Sequence, residues 1–403
     1  MGTNSGADRV VSGMRPSGRL HLGNYHGALK NWVQLQHEYE AFYFVADWHA
    51  YTTHYEDPSN VEDDVLNMVI DWLACGIAPD TATVFVQSKV PEHAELHVLL
   101  SMITPLSWLE RVPSYKDQQE KLVGRDLTTY GFLGYPLLQS ADILLYRAVG
   151  VPVGEDQAAH VEMTREVARR FNFIYGREQD FEERAKRSAK NLGRSINKDY
   201  MRARKLFQEK GDVQALARGR ELVEKANLTV ADQDRLLGYL EGTGRTILVE
   251  PDALHTTTPK FPGLDGQKMS KSYGNTILIR EEPDEVLKKI RTMPTDPARV
   301  RRTDPGTPEK CPVWDLHKVY SDTETHSWVQ KGCTTAGIGC IDCKNRVADF
   351  MVADMAPIRE RAREFEEDLG LVRSIIEEGS ERAQAEAAET LNEVRQAMGL
   401  NYR

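Results

Sequence analysis

An α/β fold on a parallel sheet, interrupted by an inserted helical segment and completed by an all-α C-terminal part, is what this 403-residue sequence predicts. Three observations carry the prediction. Short β-rich runs alternate with longer amphipathic ones from Arg9 to about Gly176. Residues 177–246 then lose apolar content and become strongly charged. From Pro283 onward, apolar residues recur at three- and four-residue spacing among Asp, Glu and Arg. In order along the chain, Val10–Ser12, Ala41–Val45 and Thr83–Val86 read as buried strands, and 23–38, 60–75 and 155–171 as helices. Strands alternating with helices imply a Rossmann-like parallel sheet, with ligands at the carboxyl ends of its strands. The expected division is 1–176 for the sheet layer, 177–246 for a basic helical insertion, 247–290 for a return to the first layer, and 291–403 for the helical part.

Composition narrows the classes. The chain has 51 Lys plus Arg against 61 Asp plus Glu, a formal charge of −10, with 40% hydrophobic and 28% charged residues. These are ordinary values for a globular protein. No apolar run approaches the length of a membrane span, and Met1 to Arg9 shows no basic-then-apolar leader, so a cytoplasmic setting is expected. The acidic total argues superficially against a nucleic-acid partner. It conceals segregation, because residues 184–205 carry nine basic residues (Arg184, Lys186, Arg187, Lys190, Arg194, Lys198, Arg202, Arg204 and Lys205) against Asp199 alone, while 346–403 carry 13 acids and 8 bases. Such a run is either a solvated helical face or a phosphate-facing surface.

Two motifs carry chemistry. Arg15-Pro16-Ser17-Gly18-Arg19-Leu20-His21-Leu22-Gly23-Asn24 follows the first strand and opens a helix, whose free N–H groups and dipole favour an anion. Gly23 lets a flat ring or phosphate approach the backbone, and His21 and Asn24 can each donate to a phosphate oxygen. Far downstream, Lys268-Met269-Ser270-Lys271-Ser272 lies between Gly263, Gly266 and Gly274. Two lysines three residues apart on a Gly-flanked loop suit a leaving pyrophosphate, whose charge grows in the transition state.

Together, His-Leu-Gly-Asn after the first strand and Lys-Met-Ser-Lys-Ser downstream resemble the two signatures of class I aminoacyl-tRNA synthetases. Gly134-Tyr135-Pro136-Leu137-Leu138-Gln139-Ser140-Ala141-Asp142-Ile143-Leu144-Leu145-Tyr146, then Val151-Pro152-Val153-Gly154-Glu155-Asp156-Gln157, is similar to the bacterial-type tryptophanyl-tRNA synthetases. The resemblance spans the chain apart from 177–246. It implies activation of L-tryptophan by ATP with Mg²⁺, transfer to the tRNA for tryptophan, a homodimer, and an anticodon-binding role for the C-terminal helices. It implies that Asp142 accepts the indole N–H, that Gln157 and Tyr135 hold the ammonium, and that Gly13, His49, Val151 and Val153 wall the pocket. It places Arg15, Pro16, Ser17, Gly23, Asn24, Gly154, Glu155, Asp156 and the stretch Lys268, Met269, Ser270, Lys271, Ser272 on ATP, with Phe261 against the adenine. His21, Asn24, Lys268 and Lys271 would assist catalysis. Arg15 and Gln139 stand where many members carry Gln and Met.

Of five cysteines, Cys311, Cys333, Cys340 and Cys343 fall within 33 residues, with gaps of 21, 6 and 2. Too few for a disulfide scaffold, they suit zinc or an iron–sulfur cluster, and the spacing alone leaves both open. Some tryptophanyl-tRNA synthetases carry a 4Fe–4S cluster at similar spacing, so the resemblance favours the cluster.

Overall fold

The computed structural model describes residues 8–56, 59–112, 129–154, 157–177, 180–255 and 261–402. Five strands, β1 Arg9–Met14, β2 Glu40–Val45, β3 Ala82–Val86, β4 Gly150–Val153 and β5 Asp252–His255, form one sheet in the order β3-β2-β1-β4-β5. Every pairing is parallel, and β1 is central: it pairs with β2 along its length, from Arg9↔Glu40 to Met14↔Val45, and with β4 at Val10↔Gly150. The winding direction therefore reverses between β1 and β4, which opens a crevice at their carboxyl ends.

Helices cover both faces, which is why Ala41–Val45 reads as a continuous apolar run rather than an alternating one. Val11, Phe42, Phe44 and Phe85 pack against the helix Tyr130–Leu144 and the latter half of Leu369–Ala397. Val10, Tyr43, Val45 and Val84 pack against the helix Val61–Cys75. The three expected strands form as read. β4 and β5 do not announce themselves, since each has four residues, one carrying Pro152 and the other polar at both ends. The expected single helix over 23–38 is instead Leu22–Asn24, a wide π-helical turn Tyr25–Leu29, and Lys30–Leu35.

In the inserted segment, helices Phe181–Asn191, Arg194–Lys210, Val213–Glu224 and Val230–Glu241 bury their own core around Tyr200, Val223, Leu236 and Leu240. The chain leaves and returns at one point, where Arg245 N–H donates to the Gly176 carbonyl at 2.7 Å. Arg245 reaches Glu393 on the last helix at 2.7 Å, and Arg147 bridges Glu393 and Asp234 of the segment, both at 3.4 Å. The C-terminal part is helical as expected, ending in Cys340–Glu367 and Leu369–Ala397.

The last helix lies directly on β3. A Cβ at Gly379 would stand 1.8 Å from the Val84 carbonyl oxygen, so helix and strand approach at a separation only glycine permits. Gly379→Ala must push the helix off the sheet, and overpacking of this kind costs about 1–3 kcal/mol. Thermal unfolding should show a lowered midpoint; an unchanged one contradicts this packing.

Candidate active site

The crevice between β1 and β4 holds a cavity of about 320 Å³. It gathers Gly13, Arg15, His49, Tyr135, Gln139, Asp142, Val151, Val153, Gly154 and Gln157 from segments up to 144 residues apart. Glu155 and Asp156 lie outside the described residues. Gly13 serves a close approach, because a Cβ there would lie 2.4 Å from the Phe44 ring. Thr129 caps the helix carrying Tyr135 and Asp142, accepting from Phe132 N–H at 3.3 Å.

Asp142 is fully buried and triply bonded. Oδ1 accepts from Gln87 Nε2 at 2.7 Å and His93 Nδ1 at 2.6 Å, and Oδ2 accepts from His49 Nε2 at 2.7 Å. Burial pushes its carboxyl up, but His49 above all, with His93, outweighs this and holds it down to about 2, so it is ionised at neutral pH. The Tyr146 hydroxyl lies 2.7 Å from His93 Nε2, and burial pushes its phenol well above the usual range. Gln87 and His93, both fully buried, hold Oδ1 from behind, and of Asp142's two imidazole partners it is His49, on Oδ2, that lines the cavity. The sequence reading missed Gln87 and His93, which stand among Ser88, Lys89, Glu92 and Glu95 with nothing local to set them apart.

Beside Asp142, the Tyr135 hydroxyl lies 3.0 Å from His160 Nδ1, and Gln139 Oε1 accepts from the same nitrogen at 2.7 Å. Buried His160 thus orients both side chains. Gln157 sits one turn after Gly154, donating its N–H to the Gly154 carbonyl at 3.0 Å.

The two signature motifs pair with each other, and Arg15 alone among their residues lines the cavity. Leu22 N–H donates to the Ile277 carbonyl and Ile279 N–H to the Leu20 carbonyl, both at 2.9 Å. Lys271 Nζ donates to the Ser17 carbonyl and stands 3.5 Å from Ser17 Oγ. Burial pushes the Lys271 ammonium down, against Asp64 and Asp71, whereas Lys268 is exposed. His21 is held down to about 4 by burial first and then by Lys271 and Lys268, so its ring is neutral at pH 7. Its Nδ1 is buried without a hydrogen-bond partner among the described residues. Asn24 accepts from His21 N–H at 3.1 Å through Oδ1, leaving Nδ2 as donor.

Three of the residues expected on the nucleotide side have packing partners of their own. The space over Gly23 is taken by the His21 ring and the Met269 side chain, at 2.9 and 3.2 Å from where a Cβ would stand. The Met269 side chain is buried with Leu22 and Phe261 and anchors its loop. Phe261 is buried too, stacked on His26 with ring centroids 4.7 Å apart, which in turn lies 2.8 Å from the Tyr320 hydroxyl. The loop's shape is set by Asn275, which the sequence reading passed over. Its Oδ1 accepts from Ser270 N–H at 2.7 Å, and its Nδ2 donates to Asp265 Oδ1 at 2.7 Å and the Lys268 carbonyl at 3.1 Å. Pro16 is buried, and Ser17 and Ser272 are exposed.

Among the described residues, no three histidines, cysteines or carboxylates are arranged to ligate a metal. The four clustered cysteines are free thiols within electrostatic reach of one another. Burial, then the other three sulfurs, pushes Cys343 up to about 12. Arg299 Nη1 lies 3.8 Å from Cys333 Sγ, and His317 Nε2 3.3 Å from Cys343 Sγ.

Because the Asp142 carboxyl sits at about 2, below the ordinary 3.8, its contribution to stability is full above about pH 4 and is lost as pH falls toward 2. Gln87→Leu removes one donor from a buried charge and should destabilise the fold at pH 7 by about 1–3 kcal/mol. The gap from the unsubstituted protein should narrow as the carboxyl protonates. Chemical unfolding across pH 2–7 checks this, and a pH-independent difference contradicts it.

Residues 3–184 and 213–354 match the family of tRNA synthetases class I (W and Y). The chain is 61% identical to the tryptophan–tRNA ligase of Ralstonia nicotianae over 396 residues, covering 98% of this chain and 99% of that protein. It is 44% identical to the tryptophan–tRNA ligase of Thermotoga maritima, covering 98% and 100%. Among solved structures, tryptophanyl-tRNA synthetase from Campylobacter jejuni, complexed with ADP and tryptophan, superimposes with a TM-score of 0.72 at 28% identity, covering 97% of this chain and 100% of that one. A parallel sheet reversing at β1/β4, with the lysine loop paired onto the first-strand motif, accords with these matches: the chain belongs to the class I tRNA synthetases of the tryptophan and tyrosine branch.

Proposed function

We propose that this chain activates L-tryptophan with ATP and transfers it to the 3′ end of the tRNA for tryptophan. The observation that carries the reading is Asp142: a buried carboxylate kept ionised, bound from behind through Oδ1, and bonded through Oδ2 to a residue lining the cavity. A buried acceptor held in this way rewards an indole N–H and penalises a side chain that leaves it unmet. Val151, Val153 and Gly13 supply walls for the ring, and Tyr135 and Gln157 supply polar groups for the ammonium. Identity of 61% to one tryptophan–tRNA ligase supports tryptophan over tyrosine.

The chemistry follows from position and charge. The tryptophan carboxylate attacks the α-phosphate of ATP in line, and the bond to pyrophosphate breaks. Mg²⁺ travels with the nucleotide and offsets phosphate charge. Arg15, Ser17 and Gly154 border the phosphate and ribose side. Lys271 and Lys268 meet the charge that develops on pyrophosphate, while neutral His21 and Asn24 Nδ2 donate hydrogen bonds without adding charge. The adenylate is then attacked by the terminal ribose of tRNA, releasing AMP, and no protein nucleophile takes part. The C-terminal helices serve the anticodon, and the enzyme works as a cytoplasmic homodimer. No helix among the described residues is long and apolar enough to cross a membrane.

Cys311, Cys333, Cys340 and Cys343 hold a 4Fe–4S cluster in this reading, with zinc the competing occupant. What supports the reading is the clustering of the four thiols within electrostatic reach of one another, with the Arg299 guanidinium at Cys333 partly offsetting the burial that pushes that thiol up. Bound there, either centre would clasp helix starts and loops of the C-terminal part and take no part in the reaction. Anaerobically purified protein should be brown and hold about four irons with matching sulfide per chain; colourless, zinc-loaded protein removes the cluster from the account.

Lys271→Ala should lower tryptophan-dependent ATP–pyrophosphate exchange by roughly 10²–10³-fold, while tryptophan binding, followed by fluorescence, stays nearly unchanged. An unchanged exchange rate contradicts the assignment.

A further inference from the structure

The helical insertion has a face that its own fold does not use. On the helix Arg194–Lys210, Tyr200 and Ala203 are buried in the insertion's core. The opposite side presents Arg194, Lys198, Arg202 and Lys205, all exposed. At 3.6 residues per turn these four fall within about 80° of one another, forming a stripe about 16 Å long. Exposed Arg187 and Lys190 extend the basic surface onto the preceding helix, and Glu209 closes the stripe at its C-terminal end.

A merely solvated helix should pair its charges, and elsewhere in the insertion several such pairs form. Arg220 bonds Glu241 at 2.7 Å, Lys225 bonds Glu221 at 2.5 Å, and Arg235 bonds Asp232 at 2.6 Å. Among the described residues, none of the four stripe residues engages a carboxylate or any other side chain. Arg194, Lys198 and Arg202 instead follow one another at i, i+4, where like charges repel and destabilise the helix. The fold gains nothing from the arrangement. The stripe also lies within residues 185–212, the internal stretch that the synthetase family match leaves uncovered, so it is an addition to the shared catalytic frame.

We propose that this stripe is a docking surface for the phosphate backbone of the tRNA. The inference rests on the tRNA-charging reading above and gives its RNA substrate a contact outside the active site. A row of cations unpaired within the protein is complementary to a row of phosphates, and releases counterions on contact. A lipid surface fits less well, because a helix lying in a membrane interface needs an apolar face to bury, and the apolar face here is turned into the insertion's core.

The test compares the intact chain with R194Q/K198Q/R202Q/K205Q, and with R220Q/K225Q as a control for loss of charge elsewhere on the insertion. The stripe variant should keep tryptophan-dependent pyrophosphate exchange, which uses no tRNA. It should raise KM for a tryptophan tRNA transcript at least tenfold and flatten the dependence of log affinity on log salt by about 3; the control variant should change neither. A stripe variant with normal exchange, normal KM and an unchanged salt slope overturns the docking surface and leaves the enzymatic reading standing. Retention of the intact chain, but not the stripe variant, on phosphatidylserine vesicles with tRNA affinity unaltered also overturns it. Absence of tryptophan-dependent exchange in the unsubstituted chain would instead remove the enzymatic reading.

Discussion

A buried ion pair between Asp71 and Arg280 joins parts of the chain on which every other feature of the site depends. Asp71 is fully enclosed on the helix Val61–Cys75. One carboxylate oxygen accepts from Arg280 Nε at 2.6 Å, and the other from Leu20 N–H at 2.8 Å, in the first-strand motif. Arg280 continues to Asn67 Oδ1 at 2.9 Å and to Glu366 on the long C-terminal helix. Helix, motif, lysine loop and C-terminal part therefore share one knot of charge. With Leu20–Leu22 paired to Ile277–Ile279, it makes one edge of signatures almost 250 residues apart.

Around that frame the site is divided by electrostatics. At one end Asp142 supplies a single, deeply held negative charge; at the other, Lys271 and Lys268 supply positive charge at a loop shaped by Asn275. Burial first, and then the two lysines, depress His21, which leaves a neutral ring beside the two cations. Lys271 rests on Ser17 of the other motif, so the two signatures are also joined through a side chain.

Much of this was legible in the sequence because the signals are local. The apolar runs at 41–45 and 83–86, the Gly-flanked lysines and the Asp142 stretch each announce themselves within a dozen residues, and the structure brings nine of the residues expected at the pocket or nucleotide side to one cavity. What escaped depends on distant partners. Gln87 and His93 are unremarkable until Asp142 lies between them, and Asp71 is one acid among several on its helix until Arg280 reaches it. β4 and β5 are too short to show a period. The packing of Met269 against Leu22 and of Phe261 against His26 likewise joins residues far apart in the chain or without a local signal. The basic stretch was visible as charge, but its alignment on one face, without partners, required the helix.

The direct measurement is a comparison of Arg280→Met with Asp71→Leu/Arg280→Met, following both unfolding and tryptophan-dependent pyrophosphate exchange. Breaking a buried pair leaves one uncompensated charge and costs about 3–5 kcal/mol, whereas replacing both partners by apolar residues is close to neutral. The single variant should lose both stability and exchange. The double variant should recover much of the stability yet remain slow in exchange, because Leu20 N–H has lost its acceptor and the two motifs are no longer pinned. A double variant with full exchange would show that the knot only stabilises the fold, and would contradict its role in assembling the site.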